Sequence, residues 1–312
     1  MRIGGFRSAK AAVEYEASYL AGMSLLPEPA AVYDVPTAYG SVRVYRFGSG
    51  SGAPIVLLPG RAGTTIMWRP TISALSEHRS VYAVEPLGEP GMSTQTAPIT
   101  SAADQAEWLS AVLESLDLRE VHLVGVSFGG WLACNQAVRA PSRLASVVLV
   151  DAVSTFARFS ARLVFSVAVA ELRGWRAFLS WVSGGAAMPE SDPVADVIIR
   201  GMRTFRLGTP LPSRFTDEQL RGVRIPVLAI VAGRSVMHDP RAAYARANAL
   251  VPNVEAELWP TASHGLSAEL PVELNARVLR FVNGNRTVNG NSGFAESYGD
   301  DSGQDQRAAQ EL

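Results

Sequence analysis

The chain has 312 residues and a formal net charge of −1, with one cysteine and four histidines. Near-neutral charge supplies no overall field for nucleic acid or an anionic membrane, and neither is an expected partner. The lone thiol, Cys134, can close no internal disulfide, and the histidines lack paired ligand spacing. No metal or cofactor is therefore expected, and a reducing cytoplasm is the expected setting.

Taken in chain order, residues 1–30 read as an N-terminal helical segment with Val13, Tyr19 and Leu20 among its apolar positions, and no stretch of signal-peptide type. Ala31 to Val35 and Gly40 to Phe47 predict an antiparallel pair. Short, almost wholly apolar runs follow at Ile55 to Leu58, Val81 to Val84, Val121 to Val124, Leu144 to Val150, Ile225 to Val231 and Val254 to Leu258. Such runs suit a parallel sheet covered on both faces. Helical patterns fall between and after them, at Met67 to Leu75, Ala102 to Leu116, Phe128 to Arg139, Arg241 to Leu250 and Val272 to Val282. The alternation predicts a doubly wound α/β fold, with a core of 31–151 and 223–283. It is interrupted once, over 152–222, by an aromatic-rich helical stretch inserted between two sheet strands. That stretch leaves and re-enters the sheet at the carboxyl edge and reads as a lid. Phe156, Phe159, Trp175 and Trp181 in it, with Trp68 from the core, are candidates to line a substrate pocket. From residue 284 onward the polar, glycine-rich composition predicts a disordered tail. The most apolar runs, 144–153 and 163–172, fall far short of the roughly 20 residues a membrane span needs.

Chemistry concentrates at Gly125-Val126-Ser127-Phe128-Gly129, between a predicted strand and a predicted helix. A strand-to-helix turn this tight strains the serine and leaves no room for side chains at the flanking positions. Glycines 125 and 129 relieve those clashes and lift the Ser127 hydroxyl above the sheet edge. A serine hydroxyl needs a base to become nucleophilic. His78 stands at the amino edge of the sheet and His122 lies inside a strand. His264, in the loop after the last strand, occupies the slot that the order serine, acid, histidine gives to the base.

Together these features resemble an α/β-hydrolase-fold serine hydrolase over roughly residues 30 to 283. More narrowly, the segment from Ile225-Pro226-Val227-Leu228 through His238-Asp239-Pro240, and then Leu250 to Leu258, is similar to the naproxen-esterase type of carboxylesterase. The Trp68 loop and Asn275-Ala276-Arg277-Val278-Leu279 add to the similarity. The resemblance implies an acyl-enzyme on Ser127, His264 as base, and an oxyanion hole from backbone N–H groups of Phe128 and Arg61.

The sequence departs from that family in three places. Where the family keeps its acid, before the Asp-Pro pair, stands Ser235, which carries no charge. Asp151 ends the strand that follows the nucleophile helix, where haloalkane dehalogenases of the same fold keep theirs, and is the first candidate. Asp239 is the rival, although it reads equally well as the N-cap of the next helix, and Ser235 or a water is the remaining option. The common His-Gly of the oxyanion loop is Pro59-Gly60-Arg61 here. Arg61 retains an N–H, and its side chain faces either the pocket or solvent. Finally, Glu85-Pro86-Leu87-Gly88-Glu89-Pro90-Gly91-Met92-Ser93 replaces an Asp-x-x-Gly-x-Gly-x-Ser loop and is assigned no chemistry.

The expected activity is acyl transfer or hydrolysis on an apolar or aromatic ester or thioester. Arginines outnumber acids nine to six within 152–222. That excess suggests an alternative in which an acidic acyl carrier protein docks and its acyl group passes to a hydroxyl or amine, as in acyltransferases of natural-product assembly. A ligand-binding protein without catalysis, on the same scaffold, is the second alternative.

Overall fold

A computed structural model describes residues 3–284, apart from the side chains of 171–173; the expected tail beyond residue 284 lies outside the described residues. Eleven strands and eleven α-helices follow one another among the described residues. They are β1 (Gly5–Phe6), α1 (Ala9–Met23), β2 (Ala31–Thr37), β3 (Gly40–Phe47), β4 (Ile55–Leu58), α2 (Arg69–Ser76), β5 (Val81–Val84), β6 (Thr94–Gln95), α3 (Ala102–Ser115), β7 (Val121–Val126), α4 (Phe128–Arg139) and β8 (Leu144–Val150). After β8 come α5 (Ala161–Arg173), α6 (Trp175–Val182), α7 (Pro193–Thr204), β9 (Phe205–Arg206), α8 (Asp217–Arg221), β10 (Val227–Ala232), α9 (Pro240–Leu250), β11 (Val254–Trp259), α10 (Leu266–Glu269) and α11 (Pro271–Gly284).

Nine strands form one sheet in the order β11-β10-β8-β7-β4-β5-β3-β2, with β6 pairing to β3. Neighbours from β11 to β5 run parallel, whereas β3 is antiparallel to β5, β2 and β6. The central strands are buried on both faces because every second side chain finds a different layer of helices. Val56, Leu58, Leu123, Val147, Leu149, Ala229 and Val231 point into a layer with α3, α4 and α9. Ile55, Leu57, Val124, Val126, Val148, Val150, Leu228 and Ile230 point into the opposite layer with α1, α2 and α11. Each valine, leucine or isoleucine among them, fully buried, contributes about 1.5–3 kcal/mol.

The chain passes from β4 to β5 on one side and then returns to lay β7 on the other side of β4. This reversal opens a crevice beyond the carboxyl ends of β4 and β7, the place where open α/β sheets take ligands.

The structure alters two expectations about packing. On α1 the buried face is Tyr15, Tyr19 and Gly22, whereas Val13 and Leu20 are exposed. The helix packs on Ile66 and on the β3 side of the sheet, and a helical face can accept only one stripe. The five aromatics expected to share a pocket also divide. Trp68 is buried in the α2 layer and Phe156 in the α4 layer, while Phe159, Trp175 and Trp181 gather around Leu163, Ala170, Phe178 and Val182 in a small core of α5 and α6. A large aromatic ring gains most by removing its whole surface from water, so the two rings nearest the sheet are absorbed by it.

The segment between β8 and β10 is also tied to the N-terminus. Gly5 pairs with Arg206 and Phe6 with Phe205, and the two phenylalanine rings meet edge to face at 5.0 Å.

Candidate active site

Three loops at the carboxyl edge supply the site. The first is the turn between β7 and α4. Ser127 has φ 54° and ψ −114°, a conformation that costs a residue other than glycine about 1–3 kcal/mol. A Cβ on Gly125 would lie 2.1 Å from the Gly129 carbonyl oxygen, and one on Gly129 would lie 2.0 Å from that of Leu58. Only glycine fits at either position. The turn is pinned by the Ser127 N–H donating to Val150 at 2.9 Å.

The second loop follows β11 and carries His264. Its Nε2 lies 2.9 Å from Ser127 Oγ, and its Nδ1 lies 2.5 Å from Asp151 Oδ2. A carboxylate only accepts, so Nδ1 holds the hydrogen and Nε2 is left to accept from the serine hydroxyl. Glu269 fixes this loop by accepting from both the N–H and the hydroxyl of Ser263, each at 2.8 Å.

The third loop follows β8. Asp151 has φ 41° and its side chain is fully buried. Its Oδ1 accepts from the Ala232 N–H at 3.0 Å, and its Oδ2 accepts from the Ser235 hydroxyl at 2.7 Å as well as from His264. His238 Nε2 lies 3.3 Å from Oδ1. Burial opposes the charge of Asp151, yet the two imidazoles outweigh it and hold the carboxyl below the usual carboxylate range.

The other candidates fall elsewhere. The Asp239 carboxylate accepts from the Arg241 and Ala242 N–H groups at 2.9 and 3.1 Å, capping α9 from an exposed position. His78 is exposed in the turn after α2. His122 is buried in β7 with its Nδ1 2.8 Å from Ser146 Oγ, and Cys134 is buried in α4, where loss of solvation pushes its thiol up to about 12.

Phe128 is the first residue of α4, so its N–H is among those without an intrahelical acceptor. In the facing loop the N–H of Gly60 meets Met67 Sδ at 3.2 Å, that of Ala62 donates to Glu89 Oε2 at 3.0 Å, and that of Gly63 donates to the Gly60 carbonyl at 2.9 Å. Among the described residues the Arg61 N–H makes no such bond. A Cβ on Gly60 would sit 3.4 Å from that of Ser127, so this loop borders the nucleophile directly.

The Arg61 side chain resolves the choice between pocket and solvent in a third way. Its guanidinium pairs with Glu89 at 3.0 Å and lies over the Phe128 ring, 4.4 Å from the centroid. The loop given no chemistry from sequence is therefore what braces the loop after β4. Glu89 is held by Arg61 and Ala62, and Glu85 by Tyr19 at 2.5 Å, Met92 N–H at 2.6 Å and Thr65. Burial raises the pKa of both carboxyls despite these partners. His238 and Glu89 are the site residues that sequence reasoning missed. The two glutamates where relatives have an aspartate and a glycine pattern were the only local signal for Glu89.

An exposed-edge serine, a histidine in a loop beyond it and a buried carboxylate behind that histidine can together relay a proton from hydroxyl to imidazole. Among the described residues no group of three or more histidine, cysteine or acidic side chains is placed to hold a metal ion, and no helix is long and apolar enough to cross a membrane.

Comparison with known proteins agrees with the fold. Residues 53–187 match the family described as alpha/beta hydrolase fold. Carboxylesterase YbfK of Bacillus subtilis is 30% identical over 288 residues, covering 89% of this chain and 97% of that protein. The uncharacterized carboxylesterase nap of the same organism is 29% identical, covering 87% and 93% respectively. The crystal structure of naproxen esterase from B. subtilis superposes with a TM-score of 0.82 at 29% identity, covering 88% of this chain and 99% of that one. The chain belongs to the α/β-hydrolase family and is a hydrolase of the carboxylesterase type.

Proposed function

We propose that the protein hydrolyses carboxylic esters through an acyl-enzyme on Ser127. The observation that carries this reading is the unbroken line from Ser127 Oγ through His264 to the buried Asp151, at 2.9 and 2.5 Å. His264 Nε2 takes the hydroxyl proton as Oγ attacks the ester carbonyl. The N–H groups of Phe128 and Arg61 receive the oxyanion, each such donor being worth about 10²–10³ in turnover. The resulting imidazolium faces the Asp151 charge and gives its proton to the departing alcohol. Water then repeats the sequence on the acyl-enzyme.

Residues 152–222 act as a lid. Their small aromatic core packs against Val236 and Met237, next to Ser235 and His238, which supports an apolar or aromatic acyl group. That the relatives are carboxylesterases, one of them named for naproxen, supports an ester over a thioester. Transfer of the acyl group to a hydroxyl or amine acceptor instead of water is the second reading. It is favoured by the exposed arginines of the lid, Arg158, Arg162, Arg203, Arg206, Arg214 and Arg221, as a surface for an acidic carrier protein. A binding protein without catalysis loses its support, since the charge missing at Ser235 is supplied by Asp151.

In a screen of p-nitrophenyl esters against acyl thioesters, Ser127→Ala and His264→Ala should each lower turnover by more than about 10³-fold, because the members act as a unit. A serine-directed fluorophosphonate should label the wild type and not Ser127→Ala. Ordinary turnover in Ser127→Ala would overturn the mechanism. Added hydroxyl or amine acceptors that capture most of the acyl group would favour transfer over hydrolysis.

A further inference from the structure

We propose that His238 is a positioning residue for the acid: its Nε2–H donates to Asp151 Oδ1 and completes the set of donors that aims Oδ2 at His264. The proposal rests on the Ser127–His264–Asp151 reading.

The argument begins with what a buried carboxylate requires. An ionised carboxylate offers about four acceptor sites, and leaving any of them empty in a dry interior weakens the charged form. Oδ2 is saturated by Ser235 and His264, and Oδ1 has the Ala232 N–H. The remaining site on Oδ1 faces His238 Nε2 at 3.3 Å. From the other side, the His238 ring is 2% exposed, and apart from this contact neither ring nitrogen meets a partner among the described residues. A buried imidazole with one polar neighbour has one way to satisfy its N–H. The contact lies at ion-pair range but is not aligned as a hydrogen bond, and catalytic contacts of this kind often tighten only when substrate is bound.

The carboxylate is thus clamped between two imidazoles from opposite ends of one segment of the fold. His264 meets the oxygen that does the work. His238, three residues beyond Ser235, meets the oxygen that does not, and stops the carboxylate from rotating about its Cβ–Cγ bond. Ala232, Ser235 and His238, at or just after the end of β10, thus surround the Asp151 carboxylate.

The test compares His238→Leu, which removes the donor, with His238→Gln, whose side-chain amide N–H reproduces a donor at the Nε2 position. With a p-nitrophenyl ester, His238→Leu should lower kcat by about 10- to 100-fold with KM within twofold, and slow fluorophosphonate labelling in parallel. His238→Gln should recover to within about threefold of wild type. Adding His238→Leu to Asp151→Asn should cost less than twofold more, since the group being positioned is already gone. Asp151→Asn alone separates the two readings. If it is silent, the acid assignment fails and this proposal fails with it. If it collapses turnover while His238→Leu is silent, or while His238→Gln is as poor as His238→Leu in protein of wild-type melting temperature, only the role of His238 is overturned. Should His238→Leu fail to fold, His238→Gln alone decides: turnover near wild type supports the donor, and a 10-fold loss in folded protein refutes it.

Discussion

At the scale of residues, the carboxylate that faces His264 is Asp151, whereas the resemblance to the naproxen-esterase type pointed to the position of Ser235. Ser235 Oγ donates at 2.7 Å to Asp151 Oδ2, the oxygen that also meets His264 Nδ1. Parallel strands β8 and β10 are neighbours, so side chains leaving their carboxyl ends converge on one point. Asp151→Asn should therefore reduce turnover by about 10³–10⁴-fold, with the wrong tautomer of His264 favoured. Ser235→Glu in that background should restore a measurable part of the rate, because the longer side chain starts from a Cβ already within reach. Asp239→Ala should leave kcat unchanged and lower stability by about 1 kcal/mol in urea unfolding, the cost of a lost helix cap. Loss of turnover in Asp239→Ala, with Asp151→Asn silent, would reverse the assignment.

At the scale of elements, the turn from β7 to α4 shows how packing dictates sequence. Ser127 alone separates the strand from the helix, so the first helical turn lies against Leu58 at the end of the neighbouring strand β4. A methyl group on Gly129 must displace backbone on one side or the other. Gly129→Ala should cost about 3 kcal/mol, the upper end of overpacking, and abolish fluorophosphonate labelling even in the fraction that remains folded. A variant of wild-type melting temperature that labels normally would show that the turn has more room than its distances allow. The same close approach explains why positive φ angles at Ala62, Ser127, Asp151 and Ser154 cluster around the crevice. The strain is tolerated because wholly buried strands on either side leave the loops no alternative path.

At the scale of the molecule, the price of a fully covered sheet is the burial of polar side chains far from the site. His122 sits near the start of β7, and loss of solvation, with the nearby Arg79 charge, pushes its pKa from 6.5 down to about 4. The neutral ring is thus favoured in the folded state, while the unfolded chain takes up a proton at the ordinary value. The contribution is complete above pH 6.5 and is lost as pH falls toward 4, by roughly 3 kcal/mol at most. Thermal unfolding between pH 7 and pH 4 should show a steeper loss for wild type than for His122→Gln, which has nothing to titrate. Parallel curves would mean that other groups, chiefly the buried carboxylates, govern acid sensitivity.

What the sequence determined by itself is what local physics encodes. β3, β4, β5 and β8 and helix α4 fall where their apolar runs and patterns place them, since a strand buried on both faces must be apolar throughout. Gly125, Ser127 and Gly129 were legible for the same reason: a turn without space writes its constraint into adjacent positions. His264 was legible from chain order. Contacts between distant segments left no such mark. The pairing of β1 with β9 joins two-residue strands with no periodicity to read, and the outward turn of Val13 and Leu20 depends on which neighbours α1 meets. Sequence narrowed the acid to Asp151, Asp239 or neither, because each reads as a plausible carboxylate at a loop. Only the side-by-side alignment of β8 and β10 brings Asp151 to His264 and leaves Asp239 on a helix cap. Glu89 and His238 became visible last, since a residue that acts by holding another is defined by distance in space and by nothing in its own stretch of chain.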